Sequence, residues 1–356
     1  MPQKVLIMGA GHQGLTMAAH LGANGTPCYL WNRTAAHMKE IMRTGIVKCS
    51  GILQGEIHVA GASTILDDVL QKIIMITTPS SAHRDIAKLL AGYVDDTYTV
   101  ILNPGRTFGV LEFTHALQEY GCSSLPLIAE TQTIVYTCRR DKSNGVTLYA
   151  LKEGVKIAAY DRQDTTRVLS YLPECIRDHF IPAQSFVETS LGNVGMILHC
   201  VPVLMNVGWI EHKKAEFKYY YDGISPTIAG ILEQLDDERL TIAAAMEYPV
   251  ESLSAWLLRT YHTHGDNLFE LLQNNACYHK IDAPINIHHR YIEEDVPNGL
   301  VPLESAGIYL GIKTPVTTTV IDFANLVMHT DYRQSGRNYA RLLGLSEDGI
   351  KGGISK

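Results

Sequence analysis

The segment KVLIMGAGHQGLTMAAHLGANGTPCYLWNR, residues 4–33, decides the fold. It runs from an apolar strand through the turn GAGHQG into a stretch with helical periodicity and then into a second apolar strand. This order is typical of a dinucleotide-binding unit, and its completeness disfavours a glycine turn without a ligand. Gly9 permits a tight turn, Gly11 lets a pyrophosphate approach the backbone, and Gly14 lets the helix pack on the strand. The helix N-terminus attracts an anion. The predicted cofactor contacts in this turn are Gly9, Gly11, His12, Gln13 and Gly14.

The second strand ends in Asn32, Arg33 and Thr34, and these three residues are predicted to contact the adenosine ribose of the cofactor. NAD-binding proteins usually place a carboxylate here, against the ribose 2'-hydroxyl. A carboxylate would repel a 2'-phosphate, whereas Arg33 can pair with it and Thr34 can donate a hydroxyl. The pattern therefore predicts NADP(H), with NAD(H) as the alternative cofactor. In the competing interpretation, Arg33 is a solvated surface residue and Thr34 caps the next helix.

Three further apolar runs have the spacing of parallel strands: residues 72–79, 99–106 and 125–130. Ligands of such sheets lie beyond the carboxyl ends of the strands. The candidates at this cofactor rim are Thr78, Pro79, Asn103, Gly105 and Glu130. Each could equally be a turn residue that caps the following helix.

Composition and charge limit the class of protein. With 356 residues, 46% hydrophobic and 19% charged, the chain is expected to form two globular domains. The net charge of -7 opposes nucleic-acid binding, so we expect small-molecule partners. Seven cysteines without a CxxC pair argue against a disulfide framework or a structural zinc site and favour the cytoplasm. The sequence contains no uninterrupted run of about 18 apolar residues, so no membrane span is predicted.

The two halves of the chain differ in periodicity. From residue 190 onward the pattern is mostly helical, as in residues 224–246 and 251–264. We predict an α/β Rossmann-type dinucleotide-binding domain over 1–185, followed by an all-α substrate and catalytic domain over 186–356. Such an arrangement suggests a reductase. A homodimer through the amphipathic helices is compatible with this pattern.

Five blocks of sequence carry a more specific signal. They are ILNPGRTFGVLEF (101–113), ETQTIVYTCR (130–139), TSLGNVGMILHCVP (189–202), YYYDGISP (219–226) and RYIEEDVPNGLVPL (290–303). In sequence, order and spacing they resemble the opine dehydrogenase family, across nearly the whole chain. Members of that family reductively join the amino group of an amino acid to a 2-oxo acid, commonly pyruvate. The resemblance implies the same activity here.

The resemblance also implies roles for three residues. His199 matches the family's catalytic histidine, Asp295 matches its carboxylate partner, and Arg290 matches an arginine of the substrate region. An imidazole can take and return protons near neutral pH, a carboxylate can orient it, and a guanidinium can hold a substrate carboxylate. The residues alone leave alternatives open. His199 could be a hydrogen-bonded core histidine, Asp295 one of a solvated acidic run, and Arg290 a partner of that run.

Further positions are candidates for substrate binding or differ from the residue expected in the family. Tyr220 is a candidate wall of the substrate pocket, although Tyr219, Tyr220 and Tyr221 cannot all face one way. Arg106 lies in the NPGRTFG turn and is predicted to hold a substrate carboxylate, and Cys200 stands where a proline is expected. The histidines of the second half lack metal-ligand spacing, so no metal site is predicted.

Two other functions fit the same architecture. One is a ketone reductase of the 2-oxo acid or ketopantoate type, in which hydride goes to a carbonyl and a lysine usually stands near it. The other is an NADP-binding sensor without catalysis, in which His199 would be dispensable.

Overall fold

The computed structural model describes residues 3–140, 145–212 and 216–344. The chain divides into two compact units, with the boundary between Ser190 and Leu191. The sequence places this boundary at 185. The first unit is a Rossmann-type α/β structure and the second is helical, which confirms the predicted fold class.

The first unit contains two β-sheets. The strands are β1 Val5–Met8, β2 Cys28–Trp31, β3 Ile46–Gly51, β4 Gly55–His58, β5 Gly61–Ser63, β6 Ile73–Ile76, β7 Thr99–Leu102, β8 Leu127–Thr131, β9 Tyr136–Arg140, β10 Val146–Leu151, β11 Val155–Ala159 and β12 Phe180–Pro182. The larger, eight-stranded sheet has the order β12-β11-β8-β7-β6-β1-β2-β5. Its strands pair in parallel except β8 with β11. The carboxyl ends of β1, β2, β6 and β7 therefore meet at one edge, where a ligand is expected.

Helices cover the larger sheet. They are α1 His12–Ala23, α2 Lys39–Thr44, α3 His83–Leu90, α4 Gly109–Glu119, α5 Thr165–Ser170, α6 Glu174–Arg177 and α7 Phe186–Leu191, with 3₁₀ turns at Ala35–His37, Leu66–Asp68, Ser80–Ala82 and Arg162–Asp164. Alternate residues of β1 point into different clusters, with Val5 and Ile7 in one and Leu6 and Met8 in the other. All four are fully buried. Burial on both faces explains why β1 is continuously apolar.

The smaller sheet is a feature that the sequence does not predict. It has four strands in the order β4-β3-β10-β9, in which β3 and β10 pair in parallel and the other neighbours are antiparallel. Residues 46–58 alternate between polar and apolar side chains weakly, and the strands that they pair with lie about a hundred residues later, as in the Cys49–Val146 pairing. Helix α1 contacts strands of both sheets.

The second unit consists of helices around α10. The helices are α8 Gly195–Met205, α9 Val207–Ile210, α10 Pro226–Ala245, α11 Leu253–Tyr261, α12 Leu268–Gln273, α13 Arg290–Glu293, α14 Val301–Leu310, α15 Pro315–Met328, α16 Tyr332–Ser335 and α17 Tyr339–Leu342, with a π-helical segment at Val296–Leu300. Ser225 caps α10 by accepting from the N–H of Ile228, and Pro226 occupies the first turn. Helix α10 contacts α8, α12, α14 and α15.

A buried ion pair links α10 to its surroundings. Arg239 is fully buried and donates to Asp236, at 2.8 Å, and to the carbonyl oxygens of Leu191 and Glu251. Asp236 also accepts from the N–H of Leu253, at the start of α11. The pair therefore satisfies backbone groups that would otherwise be buried without partners.

One helical stretch of the described chain, Phe186–Met205, is long and apolar enough to span a membrane. In its most apolar window 89% of the residues are buried in the protein. Packing thus accounts for the apolar character of this stretch, as it does for core helices in general.

Candidate active site

The glycine turn between β1 and α1 has the geometry that a dinucleotide requires. Gly9 has a φ of +116°, which side-chain-bearing residues rarely adopt. A Cβ on Gly14 would lie 1.8 Å from the carbonyl oxygen of Gly9, so this helix approach needs glycine. A Cβ on Gly11 would meet no described atom within 4 Å, and the turn is open there. With the N–H groups of His12 and Gln13 in the first turn of α1, the residues present fit a pyrophosphate.

Asn32 at the tip of β2 supports the glycine turn through its side chain. Its Oδ1 accepts from the N–H of Ala10 at 3.0 Å, and its Nδ2 donates to the carbonyl oxygen of Thr34 at 3.0 Å. Both ends of the amide are thus engaged by the backbone. A carboxylate could accept the first bond but could not donate the second.

Arg33 and Thr34 lie just beyond the carboxyl end of β2, and their contact with a 2'-phosphate stays a prediction. The Arg33 guanidinium lies 3.7 Å from the Asp85 carboxylate, and the two side chains are 81% and 72% exposed. Such an exposed pair is screened and weak, and it does not prevent Arg33 from binding an anion. Thr34 precedes the 3₁₀ turn Ala35–His37, but its side chain makes no capping hydrogen bond. The capping alternative for Thr34 is therefore not observed.

The rim candidates follow β6 and β7. Thr78 and Pro79 lie between β6 and the turn Ser80–Ala82. Asn103 is buried, and its Nδ2 donates to the carbonyl oxygen of Ile101 at 3.0 Å. Cofactor binding by these residues stays a prediction, and for Asn103 the side chain is turned into the protein.

Glu130 is not a rim residue but an internal cap. It is fully buried and accepts from the N–H of Val110 at 2.7 Å and from the hydroxyls of Thr189 and Ser190. A Cβ on Gly105 would lie 2.1 Å from its Oε2, so glycine at 105 makes room for this carboxylate. The sequence expectation that places Glu130 at the cofactor rim is corrected: Glu130 is a buried residue of β8 that supports the start of α4, the helix preceding it in the chain, and it is not a turn residue capping the following helix either.

Arg106 has a second cation near it. Its φ of 63° is in the left-handed region, which is uncommon for a residue other than glycine. Lys152, whose Nζ donates to Thr133 Oγ1 at 3.4 Å, has a pKa lowered to about 8, first by burial and further by the charge of Arg106. Two cations in one region would hold a carboxylate, although substrate binding by Arg106 stays a prediction. The sequence reasoning missed Lys152, which lies in a polar stretch without a motif.

The second unit brings His199 and Asp295 together. His199 lies in α8, Asp295 directly precedes the π-helical segment, and 96 positions separate them in the chain. The distance from His199 Nδ1 to Asp295 Oδ2 is 2.7 Å, with side-chain exposures of 11% and 0%. A carboxylate so placed orients the ring and stabilises the imidazolium that forms when Nε2 takes a proton. The contact that the resemblance implies is present, and its catalytic role stays a prediction.

Aromatic side chains surround the imidazole. Tyr291 stacks on the His199 ring with centroids 3.9 Å apart and an angle of 15° between the planes. The Tyr219 hydroxyl donates to the His199 carbonyl oxygen at 2.5 Å. Cys200 donates to the Tyr291 carbonyl oxygen at 3.3 Å, so the residue that replaces the expected proline joins α8 to α13. Tyr291 was not found from the sequence, although it directly follows Arg290.

The three consecutive tyrosines divide as expected. Tyr219 and Tyr220 are buried, whereas Tyr221 is 45% exposed. Tyr220 stacks on Tyr278 at 4.1 Å, and burial raises its pKa well above the ordinary value. Tyr220 therefore belongs to a packed aromatic cluster, and its predicted contact with substrate stays a prediction.

Arg290 is not paired with the acidic run that follows it in the chain. Arg290 is exposed at the start of α13, and within the described residues it forms no ion pair with Glu293, Glu294 or Asp295. Glu293 instead lies 3.2 Å from His288. The alternative that Arg290 merely pairs with the acidic run is not observed. In the part of the chain that the structure describes, no three His, Cys, Asp or Glu side chains are grouped to hold a metal ion.

Comparisons with known proteins identify the family of the chain. Residues 182–328 match the family model described as NAD/NADP octopine/nopaline dehydrogenase, alpha-helical domain, and residues 4–105 match the NAD-dependent glycerol-3-phosphate dehydrogenase N-terminus. An opine dehydrogenase of Arthrobacter sp. (strain 1C) is 31% identical over 98% of both chains. A D-nopaline dehydrogenase of Agrobacterium tumefaciens (strain T37) is 22% identical over 90% of this chain and 85% of its own.

Solved structures show the same fold. An octopine dehydrogenase in complex with NADH and L-arginine matches with a TM-score of 0.77 at 17% identity, over 99% of this chain and 98% of its own. A yersinopine dehydrogenase with bound NADP+ matches with a TM-score of 0.77 at 13% identity, over 99% of this chain and 97% of its own. These neighbours hold either form of the nicotinamide cofactor in this fold. The chain thus belongs to the opine dehydrogenase family and is an NAD(P)-dependent oxidoreductase.

Proposed function

We propose that this protein is an NADPH-preferring opine dehydrogenase that condenses the amino group of an amino acid with a 2-oxo acid, with pyruvate as the oxo acid. The observation that carries the proposal is the buried contact of 2.7 Å between His199 and Asp295 in a chain of this family. Solved structures of octopine dehydrogenase contain NADH with L-arginine and NADH with pyruvate. Both reactants are therefore compatible with this fold.

The dyad can carry the proton transfers of this reaction. With Nδ1 held by Asp295, His199 presents Nε2 to the substrate. It takes a proton from the substrate ammonium, so that the amine attacks the ketone carbon, and returns it to the carbinolamine hydroxyl, which leaves as water. Asp295 stabilises the imidazolium between the two steps. The bound cofactor supplies hydride to the resulting imine carbon.

Each unit contains cations of a type that can hold a carboxylate. Arg290, in the same unit as the dyad, carries a planar guanidinium that matches a carboxylate, and the first unit contains Arg106 and Lys152. Both reactants of an opine dehydrogenase carry carboxylates. The residues that we assign to substrate binding are therefore of the required charge.

The preference for NADPH rests on the tip of β2. Asn32 replaces the usual carboxylate and is engaged by the backbone, and Arg33 carries an exposed positive charge beside it. A 2'-phosphate would meet no repulsion from Asn32 and would gain a charge-assisted bond from Arg33. A cytoplasmic location and a homodimer belong to the same proposal, supported by the cysteine pattern and the amphipathic helices.

A ketone reductase is the second candidate, because one observation favours it. Lys152 has a pKa lowered to about 8, and a lysine near the reacting carbonyl is typical of reductases of this architecture. A ketopantoate reductase shares the fold with a TM-score of 0.62. In this case hydride would go to the carbonyl and no amine would be needed.

The test is NADPH oxidation by the purified protein with pyruvate, with and without a mixture of amino acids, in parallel with NADH. Oxidation that requires both pyruvate and an amino acid is expected, with NADPH used more efficiently than NADH. Oxidation with pyruvate alone would instead identify a ketone reductase. If NADPH binds but no combination is turned over, the result favours an oxo acid outside the tested set or the non-catalytic sensor.

A further inference from the structure

His289 lies at the start of α13, directly before Arg290. Its imidazole Nδ1 accepts a hydrogen bond from the backbone N–H of Tyr291 at 3.3 Å, so His289 caps this short helix. A ring nitrogen that accepts a hydrogen bond carries no proton, which assigns the proton of the neutral imidazole to Nε2. Nε2 is therefore a donor, and within the described residues it has no acceptor.

This donor lies in the surroundings of the proposed dyad. The imidazoles of His199 and His289 both contact the ring of Tyr291. His199 stacks on it with centroids 3.9 Å apart, and His289 meets it edge-on with centroids 4.4 Å apart and an angle of 83° between the planes. The guanidinium carbon of Arg290 lies 5.8 Å from the same ring centroid. One tyrosine ring thus gathers the proposed base, a neutral donor and a cation, all within the second unit.

The charge state of His289 suits a donor rather than a second base. Burial, and then the charges of Arg290 and His199, lower the pKa of this imidazole below its usual value, against a smaller opposite effect of Asp295 and Glu293. The ring is therefore neutral at pH 7 and does not repel an imidazolium that forms on His199. It also does not compete with His199 for a substrate proton, because its Nδ1 is engaged and its Nε2 already carries a proton.

The amino acid substrate limits where its carboxylate can be held. Its ammonium and carboxylate groups are bonded to the same carbon atom, so the group that takes a proton from the ammonium must stand beside the groups that bind the carboxylate. His199 is the proposed base, and His289 and Arg290 are grouped with it around the same ring. A carboxylate has two oxygens and can accept from a neutral N–H and from a guanidinium at once.

We propose that His289 is a substrate-binding residue whose Nε2–H donates to the carboxylate of the amino acid, beside Arg290. The inference rests on the proposed opine dehydrogenase function and assigns to it a residue that the resemblance does not name. The two nitrogens of His289 thereby have separate tasks: Nδ1 caps α13 and fixes the tautomer, and Nε2 binds the substrate.

Two substitutions separate these tasks. Asn keeps an acceptor near the position of Nδ1 and is a favourable cap, but it has no group that reaches the position of Nε2. Gln has an N–H donor at about the distance of Nε2 and is a poorer cap. His289→Asn therefore removes the proposed donor, and His289→Gln removes the cap. His288→Asn is the matched control, because His288 is the neighbouring histidine, with a side chain 70% exposed and 3.2 Å from Glu293.

The assay measures oxidation of NADPH or NADH, whichever wild type uses, with pyruvate and an equimolar mixture of the proteinogenic amino acids, each varied in turn. His289→Asn should raise the KM for the amino acid mixture about tenfold, because one hydrogen bond to a charged group is lost. Its kcat should stay within about threefold of wild type and its KM for pyruvate within about twofold, with the melting temperature unchanged. His289→Gln should raise the KM for the mixture less and lower the melting temperature, and His288→Asn should match wild type.

The outcomes separate this inference from the function on which it rests. If amino acids do not stimulate oxidation by wild type, the proposed function fails and the inference fails with it. If wild type is active and His289→Asn keeps its KM for the mixture within about twofold, the inference alone fails. A rise confined to the KM for pyruvate, or a fall in kcat at unchanged KM, would also overturn it, because the lost group would then not hold the amino acid. Equal KM rises in the Asn and Gln variants, both with lowered melting temperatures, would show that His289 is only a cap. His289→Ser, which also caps without reaching Nε2, replaces His289→Asn if that variant is insoluble.

Discussion

Replacing Asp295 by Asn tests whether the buried dyad carries the chemistry. The amide has nearly the same shape as the carboxylate, so packing around the site should be preserved. The contact of 2.7 Å to His199 Nδ1 would change from a charge-assisted bond to a neutral one. Because charge-assisted bonds are worth about 1.5–3 kcal/mol, loss of this bond alone predicts about a 10- to 150-fold fall in kcat.

The tautomer adds to this effect. If the Asn amide donates to Nδ1, the ring proton moves to Nε2, and Nε2 can then no longer accept a proton from the substrate. The equivalent change in a hydrolase triad costs roughly 10⁴ in kcat, which sets an upper bound. We therefore expect a fall of at least about a hundredfold, with the cofactor affinity close to that of wild type.

The assay is steady-state oxidation of the reduced cofactor with saturating substrates, accompanied by cofactor binding and thermal unfolding. Glu293→Gln is the control, because Glu293 belongs to the same acidic run but is exposed and lies beside His288. It should leave kcat unchanged. An Asp295→Asn enzyme with kcat within about threefold of wild type would refute the reasoning, since the dyad would then contribute less than one ordinary hydrogen bond.

Three further outcomes follow from individual contacts. Tyr291→Leu removes the stack on the His199 imidazole and should lower kcat about three- to tenfold, whereas Tyr291→Phe keeps the stacked ring and should keep kcat, as kcat measurements on the two variants will show. Burial, and then the charge of His179, lower the pKa of His20 in the folded protein from 6.5 to about 4. As pH falls, His20 therefore takes up a proton in the unfolded chain at a higher pH than in the folded protein. The free energy of unfolding should therefore be full above pH 6.5 and decline towards pH 4 by up to about 3 kcal/mol. Urea unfolding should show this pH dependence in wild type and not in His20→Gln. Parallel pH profiles of the two proteins would contradict the assignment to His20. Arg239→Met leaves the buried Asp236 charge uncompensated and should cost about 3–5 kcal/mol of unfolding free energy, against less than about 1 kcal/mol for the exposed Arg259→Met. Equal losses would show that burial of the pair does not matter.

Much of the first unit follows from local pattern. The strand, glycine turn and helix at residues 4–23 are specified by neighbours in sequence, because apolar continuity and positive φ at Gly9 are local properties. The smaller sheet could not be predicted in this way. Its strands pair across about a hundred residues, and their alternation is too weak to set the register.

The site shows the same division. His199 and Asp295 could be named from the resemblance, but the residues around them could not. Tyr291 stacks on His199 because α13 packs on α8, and Glu130 is a buried cap because three donors from elsewhere in the unit converge on it. Such contacts depend on which helices and strands pack against each other, and the type of a side chain does not predict its tertiary neighbours.

By itself, the sequence determined the fold class of both units, the dinucleotide turn and the family, since each depends on short-range pattern or on blocks of residues in order. The resemblance already named Asp295 as the partner of His199, and the tertiary structure supplied the contact itself. Only the tertiary structure gave Arg106 the neighbour Lys152 and brought Arg140 from the smaller sheet to the glycine turn. The physical reason is that electrostatic interactions depend on distance and burial in space, and these are set by packing between segments far apart in the chain.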